Sequence, residues 1–190
     1  MTASRERTKS TRWNAWRVAR WAAALALLLT PLAMMRISED WNWGAGSFLL
    51  AGVMIGGVGL LYELAERASE SRAYRAGAAV ALLASFLTVW ATFVRDDGDG
   101  VAFLLLVLAA AVSAFSAWLQ PAGMARAMLG VAAMQGLLGL AMATAPSAAR
   151  SAEGPARIAL FNAFFAAMWL ISAAFFLIAA KRERRAGAAP

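Results

Sequence analysis

The chain has 190 residues, of which 62% are hydrophobic and only 15% charged, with a formal net charge of +7. Soluble domains carry about 45–50% apolar and about 25% charged residues, so this composition excludes a soluble globule and implies one membrane unit. Neither cysteine nor histidine is present, which removes disulfides, thiolate metal sites, thiol nucleophiles, imidazole ligation of haem or zinc, and the commonest general base.

Residues 1–16 read as a basic N-terminal tail, with Arg5, Arg7, Lys9 and Arg12 against a single Glu6. Trp13, Trp16 and Trp21 alternate with Arg17 and Arg20, as expected of a helix entering a membrane with aromatic rings at headgroup depth and snorkelling arginines. The first span is expected over about residues 17–36, with Pro31 the source of a kink. A basic segment before a short apolar run also describes a secretory signal, but no small-residue cleavage site stands at Met34-Met35-Arg36, which favours an uncleaved span.

The acidic, tryptophan-rich collar Glu39-Asp40-Trp41-Asn42-Trp43 leads into the second span, residues 44–64. Its apolar part, residues 44–62, would be roughly 28 Å long at ~1.5 Å per residue, which matches a bilayer core. Residues 63–75 form a mixed-charge segment that the second helix should enter, with Glu63 and Arg67 spaced i,i+4 in the favourable order. The third span is expected over 75–94 and the fourth over 101–119, separated by the acidic turn Asp96-Asp97-Gly98-Asp99-Gly100.

Gln120-Pro121-Ala122-Gly123 reads as a turn, since proline and glycine interrupt helices. A fifth span follows at 124–145, then a small-residue loop at 146–155 that reads as flexible. The sixth span, 157–180, is the most aromatic, and the basic run Lys181–Arg185 should end it, leaving residues 181–190 as a basic tail. The fold expected is thus all-α: a polytopic membrane protein, a bundle of six transmembrane helices.

Basic residues set the orientation. With the N-terminus cytoplasmic, the inner side holds the six Lys/Arg of the first twenty residues, then Arg67, Arg72, Arg75 and Arg126, and the four of the C-terminal run. Only Arg36, Arg95, Arg150 and Arg157 fall outside, so both termini are expected in the cytoplasm. Because these charges flank apolar runs rather than forming one cluster, they point to topology and to anionic lipid headgroups, not to nucleic acid.

Polar groups inside a membrane are costly and mark sites or helix contacts. Gln135 in the fifth span and Asn162 in the sixth stand out, and a hydrogen bond between neighbouring helices is the simpler reading of both. Ser85, Thr88 and Thr92 line one side of the third span, while Ser113 and Ser116 lie in the fourth. No ionisable residue lies deep in any span, which disfavours an ion-coupled transporter. Gly52, Gly56 and Gly59 are candidate helix-packing positions, Gly52 and Gly56 being four apart on one face. Tyr62, Glu63, Arg67 and Arg75 are candidate interface contacts at the inner edge, read as a clasp between the second and third helices. The three carboxylates of residues 96–99 could in principle bind a divalent cation through oxygen, but they lack a calcium-loop spacing and read as a solvated turn. No metal or cofactor is therefore expected.

Asp40-Trp41-Asn42-Trp43, the following Phe48, Gly59-Leu60-Leu61-Tyr62-Glu63-Leu64 and Tyr74-Arg75-Ala76 together resemble a group of small bacterial integral membrane proteins, over roughly residues 36–95. The group has a longer, asparagine-containing loop where this chain has only residues 95–100. The resemblance implies a bacterial cytoplasmic-membrane protein and brings no reaction and no ligand. The functional expectation is a non-enzymatic scaffold or accessory subunit that contacts lipid, itself as a homo-oligomer, or a larger membrane complex. The alternative is a passive or facilitated conduit for a small or apolar solute, lined by Gln135, Asn162 and the third-span hydroxyls.

Overall fold

A computed structural model describes residues 2–38, 43–95, 100–150 and 154–188. It is all-α, with helices α1 (Thr2–Met34), α2 (Ala45–Ala68), α3 (Arg72–Arg95), α4 (Gly100–Ser116), α5 (Pro121–Thr144) and α6 (Gly154–Gly187). A short 3-10 turn, Ala148–Arg150, precedes α6. Five helices are long and apolar enough to cross a membrane; α4, at 17 residues, is the shorter apolar one. The collar residues 39–42 and the acidic residues 96–99 lie outside the described residues, so the expectations placed on them stand where the sequence left them.

The chain divides into two compact units, Met1–Leu61 and Tyr62–Pro190. In the first, α1 and α2 form an antiparallel hairpin joined by side chains rather than by close backbones. The Trp21 ring lies against Gly59, 3.0 Å from where a Cβ would stand, and the Leu28 side chain meets Gly52 at 3.8 Å. Trp43 packs edge-on against Phe48. Leu25, Leu29, Leu32, Leu49, Val53 and Leu60 are exposed. The basic segment is helical: α1 already runs from Thr2, because nothing among its arginines, lysine and threonines breaks a helix, and the apolar stretch within α1 begins at Arg17.

In the second unit α3, α4, α5 and α6 run alternately up and down, each against the next, and α6 closes the ring by packing on α3. Period explains the arrangement. In α5 the buried residues are Met124, Ala125, Met128, Val131, Ala132, Gln135 and Gly139, and in α6 Asn162, Phe165, Trp169, Ser172, Ala173, Phe176, Ala179 and Ala180. Both sets recur at three- and four-residue steps, the inward stripe of a packed helix. α5 and α6 share the largest interface, and Gly139 is the reason: a Cβ there would collide with Asn162 Cβ. Gly77 serves α3 likewise, with the Phe176 ring 3.2 Å from the Cβ position. Contacts this close stabilise through dispersion between well-packed atoms.

Four boundaries differ from the sequence expectation. α4 stops at Ser116 rather than 119, because Trp118 (φ 50°) and Leu119 (φ 57°) adopt left-handed backbone. Pro121 starts α5 instead of belonging to a turn; its missing N–H and fixed φ suit the first helical position. Gly123 is the first-turn residue that lets α5 begin beside α4, since a Cβ there would stand 2.8 Å from Ala117 Cβ. The 146–155 stretch holds the ordered 3-10 turn with Ala148 buried, and α6 continues through the basic run to Gly187, because lysine, arginine and glutamate are good helix formers.

The α2–α3 corner is tied by side chains. Ser71 caps α3, its hydroxyl accepting the Tyr74 N–H at 3.4 Å. Arg75 folds back onto the end of α2, donating from Nε to the Ser69 carbonyl at 3.1 Å and from a terminal nitrogen to the Glu66 carbonyl at 3.3 Å. A cation on carbonyls at a helix C-terminus is favoured by the helix dipole as well as by the bonds.

Candidate functional site

The buried polar side chains of the described residues are Thr88, Gln135, Asn162 and Ser172. All belong to the four-helix unit, and all carry neutral amides or hydroxyls. Their placement follows from the helix stripes: Gln135 stands between Val131 and Gly139 on the inward face of α5, and Asn162 opens the inward face of α6. Gly139 brings those two backbones close enough for the amides to meet.

The polarity of the amide pair is set by one bond. Asn162 Nδ2 donates to the Ile158 carbonyl of its own helix at 2.9 Å, which turns Oδ1 across the interface. That oxygen accepts from Gln135 Nε2 at 2.7 Å. Gln135 Oε1 must then point elsewhere in the core, and no protein group reaches it; Thr88 Oγ1 and Trp169 Nε1 are likewise buried with no hydrogen-bond partner in the protein. Ser172 donates to the Gly77 carbonyl at 2.8 Å, joining α6 to α3.

The third-helix hydroxyls do not act as a set. Ser85 bonds the Ala81 carbonyl and Thr92 the Thr88 carbonyl, each at 2.9 Å within α3, which leaves Thr88 as the hydroxyl buried in the core. The layers beside the amide pair hold Val131, Phe165 and Trp169. Chemically, the arrangement can hold helices in register and can hydrogen-bond one small neutral group. Its buried polar members are two amides and two hydroxyls, none of them ionised at neutral pH, and among the described residues no group of three His, Cys, Asp or Glu side chains stands together.

At the α2 end, Glu63 meets Arg67 at 3.9 Å; Arg67 is 75% exposed and Glu63 only 12%. A pair with one partner in solvent contributes little stability. The α2–α3 clasp runs through Arg75 and backbone carbonyls, described above, and Tyr62 is half-buried just before it. Among the glycines, Gly52 and Gly59 meet α1 side chains, whereas a Cβ on Gly56 would find nothing within 4 Å.

Three contributors were not singled out by sequence reading. Ser172 lies on the same stripe as Asn162, Phe165 and Trp169, so helical spacing from Asn162 would have found it. Gly139 is one small residue among many and carried no distinguishing mark. Tyr74 looked like part of a boundary motif, yet it is buried, stacks edge-on with Phe176 at 5.0 Å and donates its hydroxyl to the Leu119 carbonyl at 2.7 Å. No protein family, no curated protein and no solved structure matches this chain.

Proposed function

We propose that this chain is a non-enzymatic integral membrane protein with six spans and both termini in the cytoplasm, acting as a scaffold or accessory subunit of a bacterial inner-membrane complex. The observation that carries this reading is the content of the four-helix core: neutral polar groups that join helices, set among Trp169, Phe176, Met128 and Val131. Such a core holds a shape and offers no proton relay. The excess of arginine and lysine at the α2–α3 corner, in early α5 and along the end of α6 supports the orientation and contact with anionic headgroups. α4 belongs among the spans on this reading, because a 17-residue helix sits at the short end of the range that crosses a bilayer. The sparsely packed α1–α2 hairpin, with Val53 and Leu60 outward, is the surface we assign to protein contact.

A photo-crosslinking amino acid at Val53, activated in intact membranes, tests the scaffold. A discrete protein adduct, or a dimer of the chain, is expected; adducts with lipid alone would overturn the assignment. Reporter fusions after Arg67 and Arg126 are expected to read cytoplasm, and one at Gly98 the outside. The opposite reading at Gly98 would break the six-span arrangement.

A further inference from the structure

The α4–α5 turn holds an unusual residue in an unusual backbone. The Leu119 N–H bonds the Ala114 carbonyl and the Trp118 N–H bonds the Phe115 carbonyl, the paired closure that ends many helices with a glycine just past the cap. Here tryptophan occupies the glycine position, at φ 50°. A bulky residue there is a backbone outlier, and such outliers point to a requirement beyond the fold. Leu119, also left-handed at φ 57°, packs against the core, but the Trp118 side chain does not: it is 79% exposed, and its ring stacks along Phe115, itself 75% exposed. The left-handed backbone therefore presents an indole outward.

The level of the turn is fixed. The Tyr74 hydroxyl holds the Leu119 carbonyl, which sets the turn beside the first turn of α3, two positions after Arg72. Arg126 lies in the second turn of α5, and both arginines are exposed. α6 ends at the same end of the bundle, where residues 181–187 are exposed and basic. Trp118 thus stands where the apolar run of α4 meets a basic end.

We propose that Trp118, backed by Phe115, is a membrane anchor whose indole sits at the glycerol–headgroup level of the bilayer and holds the short helix α4 at its depth. The proposal rests on the membrane reading above and adds a specific contact to it. An indole suits that level because its ring is apolar and its N–H can bond headgroup or water oxygens. α4, about 25 Å long at ~1.5 Å per residue against a core of about 30 Å, is the helix most in need of an anchor. The residue pays in backbone strain for its position.

The test uses the full chain in phospholipid vesicles, with Trp118→Phe as the reference because phenylalanine keeps an aromatic ring on the same backbone. The difference in tryptophan emission isolates Trp118. It should be quenched by lipids brominated near the glycerol end of the chains, more than by lipids brominated near the methyl end, and spared by aqueous acrylamide. Strong acrylamide quenching with none from bromine would mark a water-facing surface free for a protein partner and overturn the anchor. Stronger quenching from the methyl end would overturn it too. Because the chain has no cysteine, Gln120→Cys supplies a unique label beside the turn. Trp118→Gly removes the indole and relieves the strain at that position, and it should slow labelling by an impermeant maleimide severalfold as α4 sinks; an unchanged rate would overturn the anchoring role. A chain that stays soluble without lipid or detergent would instead sink the membrane reading itself.

Discussion

Ser172 and Gly77 lie 95 positions apart, and the Ser172 hydroxyl donates to the Gly77 carbonyl at 2.8 Å in the buried α3–α6 seam. Gly77 is used twice there, since the Phe176 ring rests where its side chain would be. One short residue on α3 thus receives both a hydrogen bond and an aromatic face from α6.

Gly77→Val is accordingly expected to destabilise the four-helix unit by about 1–3 kcal/mol through overpacking against Phe176. Ser172→Ala should cost less, about 0.6 kcal/mol, the usual worth of an interhelical hydrogen bond in a membrane. Reversible unfolding in mixed detergent, followed by tryptophan emission, ranks the two. An equal effect would mean that the ring does not rest on Gly77 as described.

Glycine positions give a sharper contrast. Gly139→Ala forces a Cβ into Asn162 and should cost about 1–3 kcal/mol. Gly136→Ala, three residues earlier in the same helix, meets nothing within 4 Å and should stabilise by up to about 1 kcal/mol from helix propensity alone. The same unfolding assay reads both, and matched effects of one sign would show that α5 does not turn this face to α6.

The helices themselves and the prominence of Gln135 and Asn162 were legible in the sequence, because a long apolar run is a local signal and an amide within one is rare. Gly139 and Ser172 were not, since glycine and serine are common throughout these spans and their role depends on which helix lies opposite. Boundaries failed for a related reason. The basic run after Ala180 marks where a membrane would end, but nothing in it stops a helix, so α6 continues to Gly187. At the end of α4 the reverse holds: the residue that turns the chain is Trp118, where a glycine would have announced the stop. Pro121 and Gly123, read as helix breakers, are the start of the next helix.

At the α2–α3 corner, Arg75 and Arg67 are expected to behave differently despite equal charge. Arg75→Gln removes donors from the Glu66 and Ser69 carbonyls and should destabilise by about 1 kcal/mol, the net worth of such bonds. Arg67→Gln removes only a 3.9 Å contact from a largely exposed side chain and should change stability by less than about 0.5 kcal/mol. Limited proteolysis between Ser69 and Ser71 provides a local readout, with faster cutting in the Arg75 variant alone. Faster cutting in both would assign the clasp to the Glu63–Arg67 pair.

The amide pair itself is best tested by a double-mutant cycle, because each partner has other neighbours. Gln135→Met removes the donor to Asn162, but it also removes Oε1, a buried acceptor with no partner in the protein. Replacing such a group by an apolar one of similar shape is often nearly neutral, so the single change should cost less than about 1 kcal/mol. Asn162→Leu should cost more. It leaves the Gln135 amide with neither bond, and it places a branched side chain against Gly139, where space is least. With both changed, no amide remains to be left unpaired, so the double variant should lose less than the sum of the singles. The coupling expected is about 0.6 kcal/mol and at most about 1.7 kcal/mol, the range measured for hydrogen bonds between membrane helices. Additive costs would show that the 2.7 Å contact contributes no stability. In that case the pair would serve register, and the tolerated variant would show a mixture of α5–α6 alignments when single cysteines on the two helices are cross-linked.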